Sequence, residues 1–308
     1  MPSHVIGVDL GGSALKLGRF DEQGRCLASH QVATPQPAYP EAVKSVLIEA
    51  VNSLLTPSCR AIAVGCPGPA DAQGRVAQLA INLPQWENIP LAQWLEEAWH
   101  LPTVVENDAN CAALGEAWLG AGRYYSDFIL LTLGTGVGGA IFGGGQLFRG
   151  RGGAAGELGL ISVEYDGPPC HSGNRGSLEQ QVSAQAIERQ TGKTGAQLAQ
   201  LAQQGDPQAI AFWQDYGRFL GVGVANLIYI LTPQAVLIGG GISASAPYFW
   251  PTLTAEIESR VLAPSRQGLA LQVAQLGNRA GMVGAAYLAW QLVTEKGEPP
   301  GCPGANGV

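Results

Sequence analysis

The chain has 308 residues, 46% of them hydrophobic, and a formal net charge of −7 at pH 7. That length allows two domains with a sizeable core. The acidic balance argues against a nucleic-acid-binding surface, which needs clustered lysine and arginine. The six cysteines are scattered without a C-x-x-C pair, a usage that disfavours disulfides and indicates a reducing cytoplasm.

One long uncharged stretch runs between Arg218 and Glu256. Pro233 interrupts it and Asn226 lies in its helical half, so a buried helix followed by a buried strand fits better than a membrane span. The first predicted strand begins at residue 4, without a basic segment followed by an apolar run, so we expect no signal peptide. The prediction is a cytoplasmic protein with no membrane partner.

The first half of the chain is predicted to open with three strands and then to alternate helices and strands. Its predicted elements are strands 4–10, 14–21 and 25–33, helix 41–55, strand 60–66, helix 91–99, strand 103–106 and helix 109–119.

The second half repeats that order, with an irregular segment and extra helices inserted. Its predicted elements are strands 127–133, 137–143 and 146–149, irregular segment 150–177, helices 178–190, 194–204 and 206–231, strand 235–238, helix 247–261, strand 269–274 and helix 281–294. The recurrence predicts an α/β fold of duplicated βββαβα units, two lobes hinged around a nucleotide cleft. The sequence predicts a small N-terminal lobe at 1–118 and a large C-terminal lobe at 119–290. Helix 281–296 is a candidate to pack back on the small lobe. A flexible tail is predicted at 297–308.

Two glycine-rich turns follow apolar strands at corresponding places in the two halves. The turn residues are Gly11, Gly12 and Ser13 in the first half and Gly134, Thr135 and Gly136 in the second. Glycine lacks the Cβ that would keep a phosphate away from backbone N–H groups. Two such turns therefore predict a duplicated unit that binds nucleotide phosphates.

Asp9 ends the first predicted strand, next to the first glycine-rich turn. A carboxylate beside bound phosphates would repel them unless a cation lies between, so Asp9 is a candidate to hold Mg²⁺ through water. The alternative is a turn aspartate that accepts backbone N–H groups. Lys16, on the second strand, either approaches a phosphate chain or points to solvent.

Asn107 and Asp108 lie between a short predicted strand and a helix. Asp108 is a candidate general base that takes the proton from a substrate hydroxyl attacking a γ-phosphoryl group, and Asn107 would fix that hydroxyl. The alternative is that Asp108 serves only as the N-cap of the helix.

Glu157 and Glu179 lie among small residues in and just after the irregular segment. Each carboxylate can accept two hydroxyl hydrogen bonds, which suits a neutral polyol. Taken singly, either could equally be a solvated surface charge.

Together these residues resemble the ROK family of bacterial sugar kinases, and the likeness runs from Val5 to about Leu288. It is carried by the Asp9 turn, Asn82-Leu83-Pro84-Gln85-Trp86, Asn107-Asp108-Ala109-Asn110, the Gly134-Thr135-Gly136 turn, Gly156-Glu157, and Gly173 to Glu179. The resemblance implies the two-lobed actin-like ATPase fold, which is ribonuclease H-like, of the actin/hexokinase/Hsp70 superfold. It also implies a homodimer.

The resemblance assigns roles to matching positions, with Asp108 as the catalytic base. Sugar-binding positions are matched by Gly65, Asn82, Asn107, Asp108, Glu157 and Glu179. Nucleotide-binding positions are matched by Asp9, Gly11, Gly12, Ser13, Lys16, Gly134, Thr135 and Gly136, with the adenosine near Gly239 and Gly240.

The chain departs from the family pattern where most members carry a structural zinc. Leu160 stands in place of a histidine that usually touches the sugar and ligates zinc, and Cys170-His171-Ser172-Gly173-Asn174-Arg175-Gly176-Ser177 keeps one of three cysteines. A closed zinc site needs four good ligands, so none is expected. The spacing of Ser13-Ala14-Leu15-Lys16 is similar to that of the family's polyphosphate-dependent glucokinases, which generally lack the zinc motif.

The resemblance thus implies a hexose kinase that uses ATP and Mg²⁺, with glucose as the first candidate sugar. The alternatives within this class are a polyphosphate-dependent glucokinase and a kinase for mannose, fructose or an N-acetylhexosamine. A transcription regulator of the family would need an N-terminal DNA-binding domain, for which the early first strand leaves no room, and no nucleic-acid partner is expected. The remaining alternative is a sugar-binding protein without catalysis.

Overall fold

The computed structural model describes residues 2–80 and 83–294. The strands in this part of the chain are β1 (His4–Leu10), β2 (Ala14–Phe20), β3 (Cys26–Ala33), β4 (Cys59–Cys66), β5 (Ala77–Leu79), β6 (Glu87–Ile89), β7 (Thr103–Asn107), β8 (Phe128–Leu133), β9 (Val137–Gly143), β10 (Gln146–Leu147), β11 (Ala235–Gly239) and β12 (Ala270–Val273). The helices are α1 (Pro40–Asn52), α2 (Leu91–Trp99), α3 (Asp108–Leu119), α4 (Leu178–Val182), α5 (Ala184–Thr191), α6 (Gly195–Gln203), α7 (Pro207–Leu231), α8 (Ala246–Arg260), α9 (Ala263–Arg266) and α10 (Ala280–Val293).

Two five-stranded sheets within the described residues share one topology. Their strand orders are β3-β2-β1-β4-β7 and β10-β9-β8-β11-β12. In the first sheet β1 is antiparallel to β2 and parallel to β4, which is parallel to β7. In the second sheet β11 is parallel to both β8 and β12. The matching orders confirm the predicted α/β class and its duplication.

Several element boundaries differ from the sequence-based expectation. The hairpin of β5 and β6 was missed because its three-residue strands are too short to show a period. Strand 146–149 is shortened to β10, which ends before Gly150, where the chain has a φ of 62°. Helix 178–190 is divided into α4 and α5 at Ser183, whose extended backbone ends one helix and whose hydroxyl accepts from Ala186 N at 3.1 Å to cap the next.

The chain divides into two compact units. The first contains the described residues of Met1–Ser126, Ile141–Gly156 and Asn278–Val308, and the second contains Asp127–Ala140 and Glu157–Gly277. The core of the first unit includes the apolar side chains of β1, such as Ile6, Val8 and Leu10, all fully buried.

Helix α10 belongs to the first unit and packs on β1, β4 and α3. The approach to α3 is very close, because a Cβ on Gly284 of α10 would overlap the backbone carbonyl of Cys111. A Cβ on Gly7 of β1 would likewise overlap the carbonyl of Met282. Glycine at these contacts lets the helix lie directly against the backbone of its neighbours.

The second unit has its own core, in which α7 packs on α8. Trp213, Tyr216 and Phe249 form an aromatic cluster with ring centroids 5.1 to 6.0 Å apart. The Tyr216 hydroxyl donates to Val182 O at 2.8 Å and so ties the end of α4 to the cluster. In the described part of the chain, none of the helices combines the length and apolar character that crossing a bilayer requires.

Candidate active site

Two predicted site residues, Asp9 and Gly65, lie beside Glu106 at the carboxyl ends of neighbouring strands in the first unit. Asp9 of β1 is paired in register with Gly65 of β4, and Gly65 is paired with Glu106 of β7. The carboxyl ends of parallel strands are the usual place for a binding site in an α/β sheet. A Cβ on Gly65 would lie 3.0 Å from Cys111 Sγ, so glycine lets α3 approach this edge.

The first glycine-rich turn joins β1 to β2. Gly11 N donates to Ala14 O at 3.0 Å and closes the turn. Thr34 Oγ1 donates to Gly11 O at 2.6 Å and fastens it to the end of β3. Gly12 and Ser13 remain exposed at the tip, so this backbone is accessible to an anionic ligand.

Asp9 forms an ion pair with Lys16, its register partner on β2. Lys16 Nζ lies 3.5 Å from Asp9 Oδ2, and the Asp9 side chain is 17% exposed. Burial raises the pKa of Asp9, although Lys16 opposes the shift. The carboxylate fits here because residue 281 is glycine, since a Cβ there would lie 2.8 Å from Asp9 Cγ. The surroundings predicted for Lys16 were a phosphate chain or solvent, and neither alternative included this ion pair.

The donor set around Asp9 fits a cation that arrives with a nucleotide. No cluster of three or more histidine, cysteine, aspartate or glutamate side chains within the described residues could hold a metal ion. Mg²⁺ is commonly bound by one or two carboxylates together with substrate phosphates and water. A single carboxylate beside an accessible turn meets that requirement.

Asn107, rather than Asp108, caps helix α3. Asn107 Oδ1 accepts from Asn110 N at 3.0 Å, so the alternative role considered for Asp108 is filled by its neighbour. Asp108 is the first residue of the helix, and its Oδ1 accepts from Ala109 N at 2.8 Å and from Asn107 Nδ2 at 3.2 Å. Two donors on one oxygen fix the orientation of the carboxylate.

Sequence reasoning missed two residues beside Asp108. Glu106 is 5% exposed, and its Oε2 accepts from Arg149 Nε at 2.6 Å. Glu106 Oε1 accepts from Asn107 N and Asn110 Nδ2, both at 2.9 Å. The acidic residue within an apolar strand was the available signal for Glu106, since a buried charge needs a partner. Nothing in the sequence identifies Arg149 as that partner.

The second glycine-rich turn joins β8 to β9 in the second unit. Gly134 N donates to Gly136 O at 2.9 Å, and Thr135 is exposed at the tip. Glu179, in the first turn of α4, accepts from Val137 N through Oε2 at 2.9 Å. A Cβ on Gly136 would overlap that same oxygen. The turn therefore packs directly on Glu179. This contact requires glycine at position 136, in addition to the access to backbone N–H groups that glycine allows.

Glu157 lies within electrostatic reach of Glu179. The Glu157 side chain is accessible to solvent, yet partial desolvation by the surrounding protein raises its pKa, and the negative charge of Glu179 raises it further. Two nearby carboxylates provide several acceptor lone pairs in one place. The arrangement can therefore accept hydrogen bonds from several hydroxyl groups of one ligand.

Gly239 and Gly240 lie at the carboxyl end of β11, in the sheet that also carries the second glycine-rich turn. Gly239 ends β11 and is paired with Thr132 of β8, and Gly240 follows with φ of 81°. The predicted site residues thus form one group in the first unit and another in the second. Asn82, the remaining predicted sugar-binding residue, lies outside the described residues.

The segment that corresponds to the family's zinc loop does not provide a zinc site. Leu160 has no ligand atom in its side chain, and Ser172 and Ser177 offer hydroxyls where the resemblance implies cysteines. Burial acts to raise the pKa of the Cys170 thiol, but the side chain and backbone of Ser172 and the side chain of Ser177 outweigh it and lower the pKa. One sulfur and two hydroxyls are a poor donor set for a closed zinc site.

Asn174 holds this loop by hydrogen bonds. Its Nδ2 donates to Leu160 O at 2.7 Å, and its Oδ1 accepts from Ser162 Oγ at 3.1 Å and from Arg175 N at 2.8 Å. Asn174 O accepts from Cys170 N at 2.7 Å. One residue therefore connects both ends of the loop.

Comparison with known proteins identifies relatives that match almost the whole chain. A glucokinase of Streptomyces coelicolor is 34% identical over 310 aligned positions, which cover 92% of this chain and 97% of that protein. The crystal structure of a ROK family glucokinase from Streptomyces griseus in complex with glucose and AMPPNP has 35% identity and a TM-score of 0.83, covering 94% of this chain and 100% of that chain.

The crystal structure of a ROK hexokinase from Thermus thermophilus has 34% identity and a TM-score of 0.81, covering 94% of this chain and 99% of that chain. These similarities confirm the predicted fold, that of the actin-like ATPases to which such sugar kinases belong. The sequence model of the ROK family matches residues 5–292. The chain therefore belongs to the ROK family.

Proposed function

We propose that this chain is an ATP-dependent hexose kinase that phosphorylates glucose at the 6-hydroxyl. The observation that carries the proposal is the edge of the first sheet, where Asp9, Gly65 and Glu106 are register neighbours and lead directly to Asp108. A proton acceptor and a phosphate-facing carboxylate on one sheet edge suit phosphoryl transfer. The glucokinases and hexokinase to which the chain is similar support the same activity.

In this proposal, Asp108 accepts the proton of the 6-hydroxyl as that oxygen attacks the γ-phosphorus and the bond to the leaving ADP oxygen breaks. The two donors on Asp108 Oδ1 hold the carboxylate in one orientation, which reduces the entropy lost on reaching the transition state. Asn107, Glu157 and Glu179 would bind sugar hydroxyls, and the backbone of Gly65 would also contact the sugar.

The two glycine-rich turns would bind the nucleotide phosphates through backbone N–H groups, and the adenosine would lie near Gly239 and Gly240. Asp9, together with those phosphates, would hold Mg²⁺, which supplies positive charge to the transferring phosphoryl group. Lys16, now paired with Asp9, would be available to a phosphate oxygen. We further propose a cytoplasmic homodimer.

A polyphosphate-dependent glucokinase is the second candidate function. The ion pair of Lys16 with Asp9, the residue two positions before Gly11, supports this candidate, because a lysine there would contact a phosphate chain longer than that of ATP.

The test is sugar-dependent release of ADP from Mg·ATP by the purified protein. Glucose is assayed beside mannose, fructose and N-acetylglucosamine, and polyphosphate is assayed as an alternative donor with detection of the sugar phosphate. Strong stimulation by glucose supports the proposal, and stimulation by another sugar alone keeps the chemistry but reassigns the substrate. Absence of phosphorylation with every sugar and both donors contradicts it and favours a sugar-binding protein.

A further inference from the structure

Glu106 is a buried carboxylate fastened to the turn that carries Asp108. Its Oε1 accepts from the backbone of Asn107 and from the side chain of Asn110, both at 2.9 Å. Asn107 precedes Asp108 and Asn110 follows it in the first turn of α3. The carboxylate therefore connects the strand end to the helix start on either side of the proposed base.

Arg149 supplies the charge that this carboxylate needs. Its Nε lies 2.6 Å from Glu106 Oε2, while the arginine side chain is 42% exposed and the glutamate side chain 6% exposed. Arg149 thus reaches a buried partner from the surface. An ionised carboxylate in such a site is costly without a cation or several donors, and Arg149 supplies the cation.

The backbone around Arg149 is held independently of the ion pair. Ala155 N donates to Arg149 O at 3.1 Å, and Gln78 Nε2 donates to Gly152 O at 3.2 Å. The segment also lies against Ala70, whose carbonyl a Cβ on Gly153 would overlap. Removing the guanidinium should therefore leave the segment in place.

The other titratable groups at this position do not offset the carboxylates. Cys66 and Cys111 are fully buried, and burial, reinforced by the negative charges of Glu106 and Asp108, raises the pKa of both thiols. Asp9 also raises the pKa of Cys111. Both thiols therefore stay neutral, and Arg149 is the cation in contact with Glu106.

We propose that Arg149 and Glu106 are positioning residues that hold the turn carrying Asp108 and set the electrostatic potential at its carboxylate. This inference rests on the proposed function, in which Asp108 is the general base. With the pair intact, Arg149 offsets the charge of Glu106 beside the turn that carries Asp108. With Arg149 removed, the unpaired Glu106 charge makes ionisation of Asp108 harder, and with Glu106 removed ionisation becomes easier.

The experiment compares wild type, Arg149→Met, Glu106→Gln and the double variant in sugar-dependent ADP release as a function of pH. Arg149→Met keeps an apolar stem, and Glu106→Gln keeps an oxygen to accept from Asn107 and Asn110. Arg25→Met is the matched control. Arg25 Nε lies 2.6 Å from Oδ2 of Asp21, a 6% exposed residue in the same unit that directly follows β2, and β1 and β4 lie between β2 and β7 in the sheet. Thermal unfolding of each variant separates lost folding from lost catalysis.

Arg149→Met is expected to lower kcat about tenfold with little change in the KM for ATP, and to move the acid limb of the kcat profile up by roughly one pH unit. Glu106→Gln should move that limb down, and the double variant should return it close to wild type. Arg25→Met should change stability alone. An Arg149→Met enzyme within twofold of wild type, or shifts of both single variants in the same direction, overturns the inference. A wild type without any sugar-dependent turnover removes the proposed function and this inference with it.

Discussion

Asp108 in the first unit and Glu157 in the second are both acidic candidates, yet their surroundings differ. Asp108 is held by Asn107 and Ala109, and the carboxylate of its neighbour Glu106 is neutralised by Arg149. Glu157 lies near another carboxylate, whose charge raises its pKa. A proton acceptor benefits from a fixed orientation and a balanced field, whereas carboxylates that bind hydroxyls benefit from unused lone pairs.

The largest effect is expected at the proposed base. Asp108→Asn keeps an oxygen to accept from Asn107 and Ala109 but cannot take a proton, so kcat should fall about 10³-fold. Glucose binding, measured by calorimetry, should stay close to wild type because the amide preserves the local hydrogen bonds. Unchanged turnover in the coupled ADP assay would show that Asp108 is not the base.

The next largest effect is expected where the second glycine-rich turn packs on Glu179. In Gly136→Ala the new methyl group must displace the Glu179 carboxylate, so kcat/KM should fall by up to about 10²-fold. Gly195→Ala on α6 is the matched control, because its Cβ would make only ordinary contacts, at 3.6 and 3.8 Å. Equal activity of the two variants would show that the position of Glu179 does not matter for activity.

Glu157→Gln should act on sugar binding more than on the chemical step. Losing a charged acceptor should raise the KM for glucose about tenfold. Because the pKa of Glu157 is raised, this side chain takes up a proton at a higher pH than an ordinary glutamate does. As the pH is lowered, glucose affinity in the wild type should therefore fall early. The variant should not show this fall. The folded state disfavours the charged form, so the variant should also melt slightly higher. Glu188→Gln, at an exposed position on α5, serves as the control, and an unchanged KM in Glu157→Gln would count against the role.

The smallest effect is expected in the loop that Asn174 holds. Asn174→Ala removes its side-chain hydrogen bonds, which should lower the free energy of unfolding by about 1 kcal/mol. Asn174→Asp keeps the acceptor but loses the donor to Leu160 O, so its free energy of unfolding should lie between those of the wild type and Asn174→Ala. A zinc-selective chelator in excess Mg²⁺ should alter neither activity nor melting temperature. A drop in either on chelation would reveal a metal that the donor set does not predict.

The sequence made the duplicated sheets predictable, because apolar strands ending in glycine-rich turns recur in the same order in both halves. It did not separate Asn107 from Asp108 as the cap of α3, since both residue types cap helices well and β7 simply runs to Asn107. Ser183 was read as helical although its hydroxyl begins a new helix.

The pair of Glu106 and Arg149 was not predictable for a different reason. The two residues are 43 positions apart, and their contact depends on how the segment after β10 folds back. Single-sequence patterns report local periodicity and do not encode contacts between distant segments. The predicted roles of the remaining site residues, including Asn82, stay predictions for the experiments above.

Helix α10 has a consequence for how the protein is made. It lies against β1, β4 and α3 of the first unit, so residues synthesised first must wait for residues 280–293 before their sheet is covered. The second unit, whose elements fall between Asp127 and Gly277, leaves the ribosome complete before that helix does. Because domains tend to fold as units during translation, the half of the chain that is synthesised first is expected to finish folding last.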